Sequence, residues 1–333
     1  MPPGVAQVKS PPSATRSATE TRRTRPLTPA QLGLDPEPRA VRRRDDLSTH
    51  VRAVLDGQLR ELLAHQRDAG NAEEPEAVHQ MRVAGRRMRV ALRIAGPVLG
   101  EAGEQLRAEL GWLGAMLGPV RDLDVLHERL VAEDSDLADT DPAGFAEVLT
   151  TLRAARASGG AELVTALAGR RYRTLLRGLA GQARIESSTG PEMLAGPAGL
   201  VRGPVRKLRR QVTDAGRHPS EGELHELRIR GKRVRYAAEF AAALAGRRDR
   251  ARLRELGRAA RAFQEVLGEH QDTVAAEQRL RELARDTRAG LSADAQLVVG
   301  RLIERESARR DQHRARWLPA WRAMDRTTRV LGH

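Results

Sequence analysis

From about Leu47 almost to the C-terminus, apolar residues recur every three or four positions, the period of one buried helix face. The pattern breaks at "DAGNAEEPE", "AGPVLGEAG", "DSDLADTDPAG", "SSTGPEMLAGPAG", "DAGRHPSEGE" and "ALAGRRD", each rich in the Gly, Pro or Asp that ends helices. No segment alternates with the period of a strand, so the pattern predicts an all-α protein. Two segments carry a second stripe beside the apolar one: "VHQMRVAGRRMRVALRI" from Val78 and "LHELRIRGKRVRYAAEF" from Leu224. In the first, Val78, Met81, Gly85, Met88 and Leu92 form the apolar line; His79, Arg82, Arg86, Arg89 and Arg93 form the cationic one. In the second, Leu224, Leu227, Gly231, Val234 and Ala238 lie beside His225, Arg228, Lys232 and Arg235. Each helix is expected to pack on one side and show cations at the margin of the core. The glycine in each apolar line points to a close helix crossing.

These segments belong to an internal repeat. His79, Arg82, Gly85, Arg86, Arg87 and Arg89 match His225, Arg228, Gly231, Lys232, Arg233 and Arg235; downstream, "LGPVRDLDV" matches "LGEHQDTVA", with Asp122 opposite Asp272. The expected architecture is two four-helix bundles related by a pseudo-two-fold repeat, the first over about 47–185 and the second over about 198–330. Within each half the order is a leading helix, the His/Arg helix, a Leu-rich helix, and one opening near the Asp. "SSTGPEMLAGPAG" is the expected join. Residues 1–40, with eight prolines among Ser, Thr and Arg, read as a disordered basic tail before a domain spanning 41–333.

Composition narrows the chemistry. The chain carries 58 Lys and Arg against 44 Asp and Glu, a net charge of +14, and it has no Cys. Disulfides, thiolate metal sites and Cys nucleophiles are excluded. No apolar run reaches membrane-spanning length and no signal-peptide core is evident, so a cytoplasmic protein without membrane insertion is expected. The positive balance calls for a polyanionic partner. Lysine occurs only at Lys9, Lys207 and Lys232, so the cations are nearly all arginine, the residue suited to forked phosphate recognition, unless biased base composition accounts for it.

A solvated charged face normally alternates with acids three or four residues away. Here no Asp or Glu occurs from Ala77 to Gly100, nor from Leu227 to Ala238. Neighbouring stripe charges stand about 5 Å apart along the axis, inside a Debye length of roughly 8–10 Å. Empty rows of this kind cost stability, so a bound polyanion is the preferred reading of both. Arg87 and Arg233 flank the rows and are expected to reach the same anion. Arg170, Arg173 and Arg177, and likewise Arg202, Arg206 and Arg209, form shorter rows that are further candidate contacts or ordinary surface.

Three roles stay open for the histidines: anion contact, a structural hydrogen bond at a helix start, or metal and acid–base chemistry. No ligand set recurs in both halves, and no metal or other cofactor is expected. Asp122 and Asp272 read either as N-caps of a following helix or as carboxylates that fix a stripe arginine.

The two motif pairs, in this order, resemble the CHAD family, the conserved histidine α-helical domain, from about Leu47 to the last helix. The resemblance implies two four-helix bundles around a basic cleft, binding of inorganic polyphosphate, and in bacteria association with polyphosphate granules and their proteins. It places His79, Arg82, Arg86, Arg89, His225, Arg228, Lys232 and Arg235 on the phosphate chain. Some relatives carry an N-terminal triphosphate tunnel metalloenzyme domain; only the proline-rich segment stands there in this chain, so triphosphatase activity is not carried over. The leading expectation is a non-catalytic polyphosphate binder. Nucleic-acid binding is the alternative, weakened by 2% aromatic content. A phosphotransfer or hydrolysis enzyme working through the histidines is the third reading, and no carboxylate cluster for Mg²⁺ supports it.

Overall fold

The computed structural model describes residues 26–42, 45–70, 74–94, 96–134, 136–185, 196–286 and 290–330. Among them there is no strand. The helices are α1 (Leu47–His65), α2 (Pro75–Ile94), α3 (Gly96–Glu133), α4 (Asp136–Thr140), α5 (Pro142–Ala168) and α6 (Arg170–Arg184), then α7 (Gly196–Ala215), α8 (Glu221–Leu244), α9 (Arg247–Arg285), α10 (Ala293–Ala315) and α11 (Trp317–Val330). Side-chain caps start several of them. Asp46 accepts from Thr49 N at 2.7 Å to open α1, and Ser220 with Glu223 forms a reciprocal capping box on α8. The expected join falls largely in residues 186–195, which lie outside the described residues, as do residues 1–25 of the expected tail.

Three apolar cores hold the helices together. The first is made by α1, α2, the first half of α3, and α6, with Leu59, Met81, Met88, Leu113 and Leu179 fully shielded from solvent. The second is made by α7, α8, the first half of α9, and α11; Phe263 meets Trp321 edge-on there, ring centroids 5.9 Å apart. These are the two expected four-helix bundles. A third core forms where the later turns of α3 and α9 meet α5 and α10, through Leu126, Leu130, Val148, Leu280 and Leu302. With so few aromatics, leucine supplies most of the buried area, each fully buried side chain contributing about 1.5–3 kcal/mol.

The third core also encloses charge. Asp134 and Glu306 are completely buried and are held by arginines: Arg309 to Asp134 at 2.9 Å, Arg305 to Asp134 at 3.1 Å, and Arg129 to Glu306 at 3.3 Å. Burial pushes the Glu306 carboxyl up, while Arg129 and Arg309 pull it down.

Two expectations change. The proline-rich segment is not free from Pro26 onward. Leu32 and Leu34 are buried against the first core, and Arg39 donates from its backbone to Asp56 (2.8 Å) and from its side chain to the Ala183 carbonyl (2.8 Å). Overall composition concealed this short apolar pair. Nor does a helix open at Asp122 or Asp272: both lie within the long helices α3 and α9, so neither is an N-cap. Pro119 sits inside α3, and the break expected at "AGPVLGEAG" appears as a bend at Gly100 (φ 55°).

Candidate functional site

On α2 the wheel prediction holds at the level of burial. Val78, Met81, Gly85, Met88 and Leu92 are buried, His79, Arg82 and Arg86 are half-buried beside them, and Arg89 and Arg93 are exposed. On α8, Leu224, Leu227, Gly231, Val234 and Ala238 are buried, Arg228, Lys232 and Arg235 half-buried, and His225 exposed. The helices are placed so that part of each row meets a common space, with Arg89, Arg93 and His225 outside its border. A cavity of about 430 Å³ is bordered by His79, Arg82 and Arg86 from α2, Arg228 from α8, Arg121, Asp122 and Arg129 from α3, and Asp272 and Arg279 from α9. Lys232 and Arg235 adjoin it: the field at Lys232 comes from Arg228, Arg86 and Arg82, and that at Arg86 partly from Arg235.

Each half seats its arginine in the same way. Arg82 Nη2 is 3.8 Å from Asp122 Oδ1, and Arg228 Nη2 is 3.9 Å from Asp272 Oδ1. One turn before each Asp stands a glycine under the guanidinium. A Cβ on Gly118 would lie 2.9 Å from Arg82 Nη1, and one on Gly268 would lie 3.8 Å from Arg228 Nη2. Gly118 thus leaves Arg82 room that a side chain would take, whereas at Gly268 an added Cβ would make ordinary contact.

Glu282 also borders the cavity and pairs with Arg279 at 2.7 Å, and Arg129 is held by Glu306, so the charge left only partly offset is that of Arg82, Arg86 and Arg228. Burial first, then neighbouring arginines, lowers the pKa of Arg86. For Arg228, burial also leads, and Asp272 opposes it. Lys232 is pushed down to about 7 by burial together with Arg228, Arg86 and Arg82. His79 is lowered by burial and by Arg121. Burial raises Asp272 against the pull of Arg228, although about half of its side chain still meets solvent. The Nε donors of Arg86 and Arg228 are buried with no hydrogen-bond partner among the described residues. Donors left in this condition ask for an acceptor.

The halves differ at the histidines. His225 Nδ1 is 2.9 Å from Gln271 Oε1, whereas Arg121, at the matching position, pairs with Glu128 at 3.1 Å. Among the described residues no three His, Cys, Asp or Glu side chains cluster as metal ligands do.

Several expected contacts lie elsewhere. Arg87 is exposed and reaches Gln58 of α1 at 3.4 Å, away from the cavity, because it lies one position beyond the stripe. Arg89 passes over Gly111 of α3, and Arg93 and Arg233 border a separate cavity of about 420 Å³ with Lys207 and Arg230. Arg209 is tied to Asp325 at 2.8 Å and Thr328 at 2.6 Å. Arg170 borders a groove between α3 and α6, Arg173 is half-buried on α6, and Arg202 and Arg206 are exposed on α7; none of these borders the central cavity. Sequence reasoning passed over Arg129 and Arg279. Each follows its Asp by seven residues, two turns along one face, so extending the repeat alignment by one turn finds both.

A profile of the CHAD domain family matches residues 53–281. The chain belongs to the CHAD domain family. Its fold is similar to the crystal structure of the CHAD domain from the plant Ricinus communis, with a TM-score of 0.69 and 24% identity, covering 87% of this chain and 95% of that one. It is also similar to PptA from Streptomyces chartreusis (TM-score 0.63, 20% identity, 83% of this chain and 99% of that one). Among curated proteins it is 27% identical over 288 residues to an uncharacterized protein of Mycobacterium tuberculosis, matched in strains CDC 1551 and H37Rv. The match covers 84% of this chain and 54% of that protein, so the chain spans about half the length of these relatives.

Proposed function

We propose that this protein binds inorganic polyphosphate, without catalysis, in the cavity between its two bundles, and that this binding takes it to polyphosphate granules in the cytoplasm. The observation that carries the reading is the meeting of Arg82 and Arg86 with Arg228 around one space, beside Lys232, which burial and then these arginines push down to about 7. An anion entering there supplies acceptors to unsatisfied guanidinium donors and relieves like-charge repulsion at once. Family membership supports the same ligand, since CHAD domains are associated with polyphosphate. A linear phosphate polymer suits the site better than nucleic acid does. Among the described residues no aromatic side chain borders the cavity, and the nearby Tyr236 is buried, so nothing there is presented for base stacking.

Titration with polyphosphate tests the reading. Affinity should fall steeply with salt. Ligand at about 100 times its Kd should add about 2.7 kcal/mol of stability. The Arg82→Glu, Arg86→Glu, Arg228→Glu, Arg235→Glu quadruple variant should keep its helicity and lose binding. Wild-type affinity in that variant removes this site; phosphate release by the wild-type protein removes the non-catalytic reading.

A further inference from the structure

The stripe on α8 does not end at Arg235. One turn further, Glu239 pairs with Arg235 at 3.4 Å and with Arg261 of α9 at 3.8 Å. From Arg261, the residues Arg258, Arg254 and Arg250 follow at spacings of three, four and four, one face of α9 over about 16 Å. These four arginines and Glu239 border a groove of about 970 Å³ between α8 and α9 whose remaining walls are Ala, Leu and Gly. At Gly257 an added Cβ would lie 3.8 Å from Glu239 Cγ, in ordinary contact across the two helices.

The two acids on this face are Glu239, shared between Arg235 and Arg261, and Glu265, one turn from Arg261 toward the central cavity. Arg250 gives one donor to the Ala245 carbonyl at 3.2 Å. Arg254 and Arg258 are exposed and make no hydrogen bond or ion pair among the described residues. A chain of charged neighbours, Arg86, Arg235, Glu239 and Arg261 in turn, leads from the central site to the groove.

The first half has no such row. The offset of 150 that pairs Asp122 with Asp272 (272 − 122) places Gly100, Glu104, Ala108 and Gly111 at the positions of Arg250, Arg254, Arg258 and Arg261. Whatever divergence made the halves unequal left cations on α9 alone.

We propose that Arg250, Arg254, Arg258 and Arg261 form a one-sided track for the part of a long polyphosphate chain that extends beyond the central cavity. The inference rests on the polyphosphate reading and adds to it a preference for long chains and a single direction of exit. The regular spacing of guanidinium groups matches a ligand of repeating charge. No aromatic residue borders the groove, so a bare phosphate polymer fits it better than a nucleic acid, which gains from stacking.

The test compares wild-type protein with the Arg254→Gln, Arg258→Gln variant, titrated with tripolyphosphate and with long-chain polyphosphate across a range of salt. Loss of two phosphate contacts should lower long-chain affinity about tenfold or more and reduce the slope of log K against log salt by about two. Affinity for tripolyphosphate should not change, which also shows that the variant is folded and its central site intact. If both proteins bind both ligands equally, the track is overturned and the central reading stands. If wild-type protein binds neither ligand, the central reading fails and the track with it. If the variant instead loses only binding to duplex DNA, the row serves a different polymer and the proposal is overturned.

Discussion

Arg228 Nη2 stands 3.9 Å from Asp272 Oδ1, close enough to feel its charge and too far for a hydrogen bond. Arg82 and Asp122 repeat the relationship at 3.8 Å. In the empty protein each carboxylate offsets part of the repulsion among the cations. Once phosphate arrives, the same carboxylate competes with it. Asp122→Asn, Asp272→Asn should therefore lower the melting temperature of the free protein and raise polyphosphate affinity severalfold. Calorimetric melting and titration check the two signs; weaker binding in the variant would show that the carboxylates act mainly to position arginine.

Through Lys232 the proposed binding should depend on pH. Its folded pKa of about 7 lies below its unfolded 10.5, so between these values the unfolded chain holds more protons and stability rises with pH. Lys232→Met should flatten that rise and stabilise the free protein near pH 7. Bound phosphate favours the ammonium form, so binding should take up a proton and weaken from pH 7 to 9. Titration in two buffers of different ionisation enthalpy measures the uptake; identical heats would remove Lys232 from the binding equilibrium.

The stripe glycines should part company. A Cβ on Gly231 would meet Phe263 Cδ1 at 3.0 Å, and Phe263 is itself locked against Trp321. A Cβ on Gly85 would meet nothing within 4 Å. Gly85→Ala should then stabilise by about 1 kcal/mol through helix propensity, while Gly231→Ala should destabilise. The close crossing expected at both positions exists only at Gly231. Chemical denaturation of the two variants distinguishes them.

Asp134 joins α3's end to Arg305 and Arg309 of α10 inside the third core. Asp134→Ala removes one buried carboxylate while Arg305 keeps Asp136 and Arg309 keeps Glu306, each at 2.7 Å, and should cost about 1.5–3 kcal/mol. Thermal melting would register this as a loss far larger than that of an exposed ion pair such as Arg210 with Asp214.

The two cationic rows were legible because one helical period fixes both which residues are buried and which cations flank them. Asp122 and Asp272 were half legible. Their pairing in the repeat was visible, but "LGPVRD" carries Gly and Pro, the marks of a break, while α3 runs straight through them. Gly118 serves an arginine from another helix, and only tertiary placement reveals that. Leu32 and Leu34 were lost within a proline-rich average. Arg87 followed the motif in sequence yet lay off its face, a distinction the wheel makes and the motif does not.

The long helices have a mechanical consequence. α3 and α9, with 38 and 39 residues, each begin in one bundle and finish in the shared third core, and each forms a wall of the cavity that α2 and α8 line with cations. Because the later turns of both helices share one core, moving one wall against the other would mean bending a long helix, as with a calliper whose arms are joined. For the proposed ligand, girth would then count as well as charge: a supple single filament adjusts its own shape to a frame of fixed width, and a stiff double helix does not.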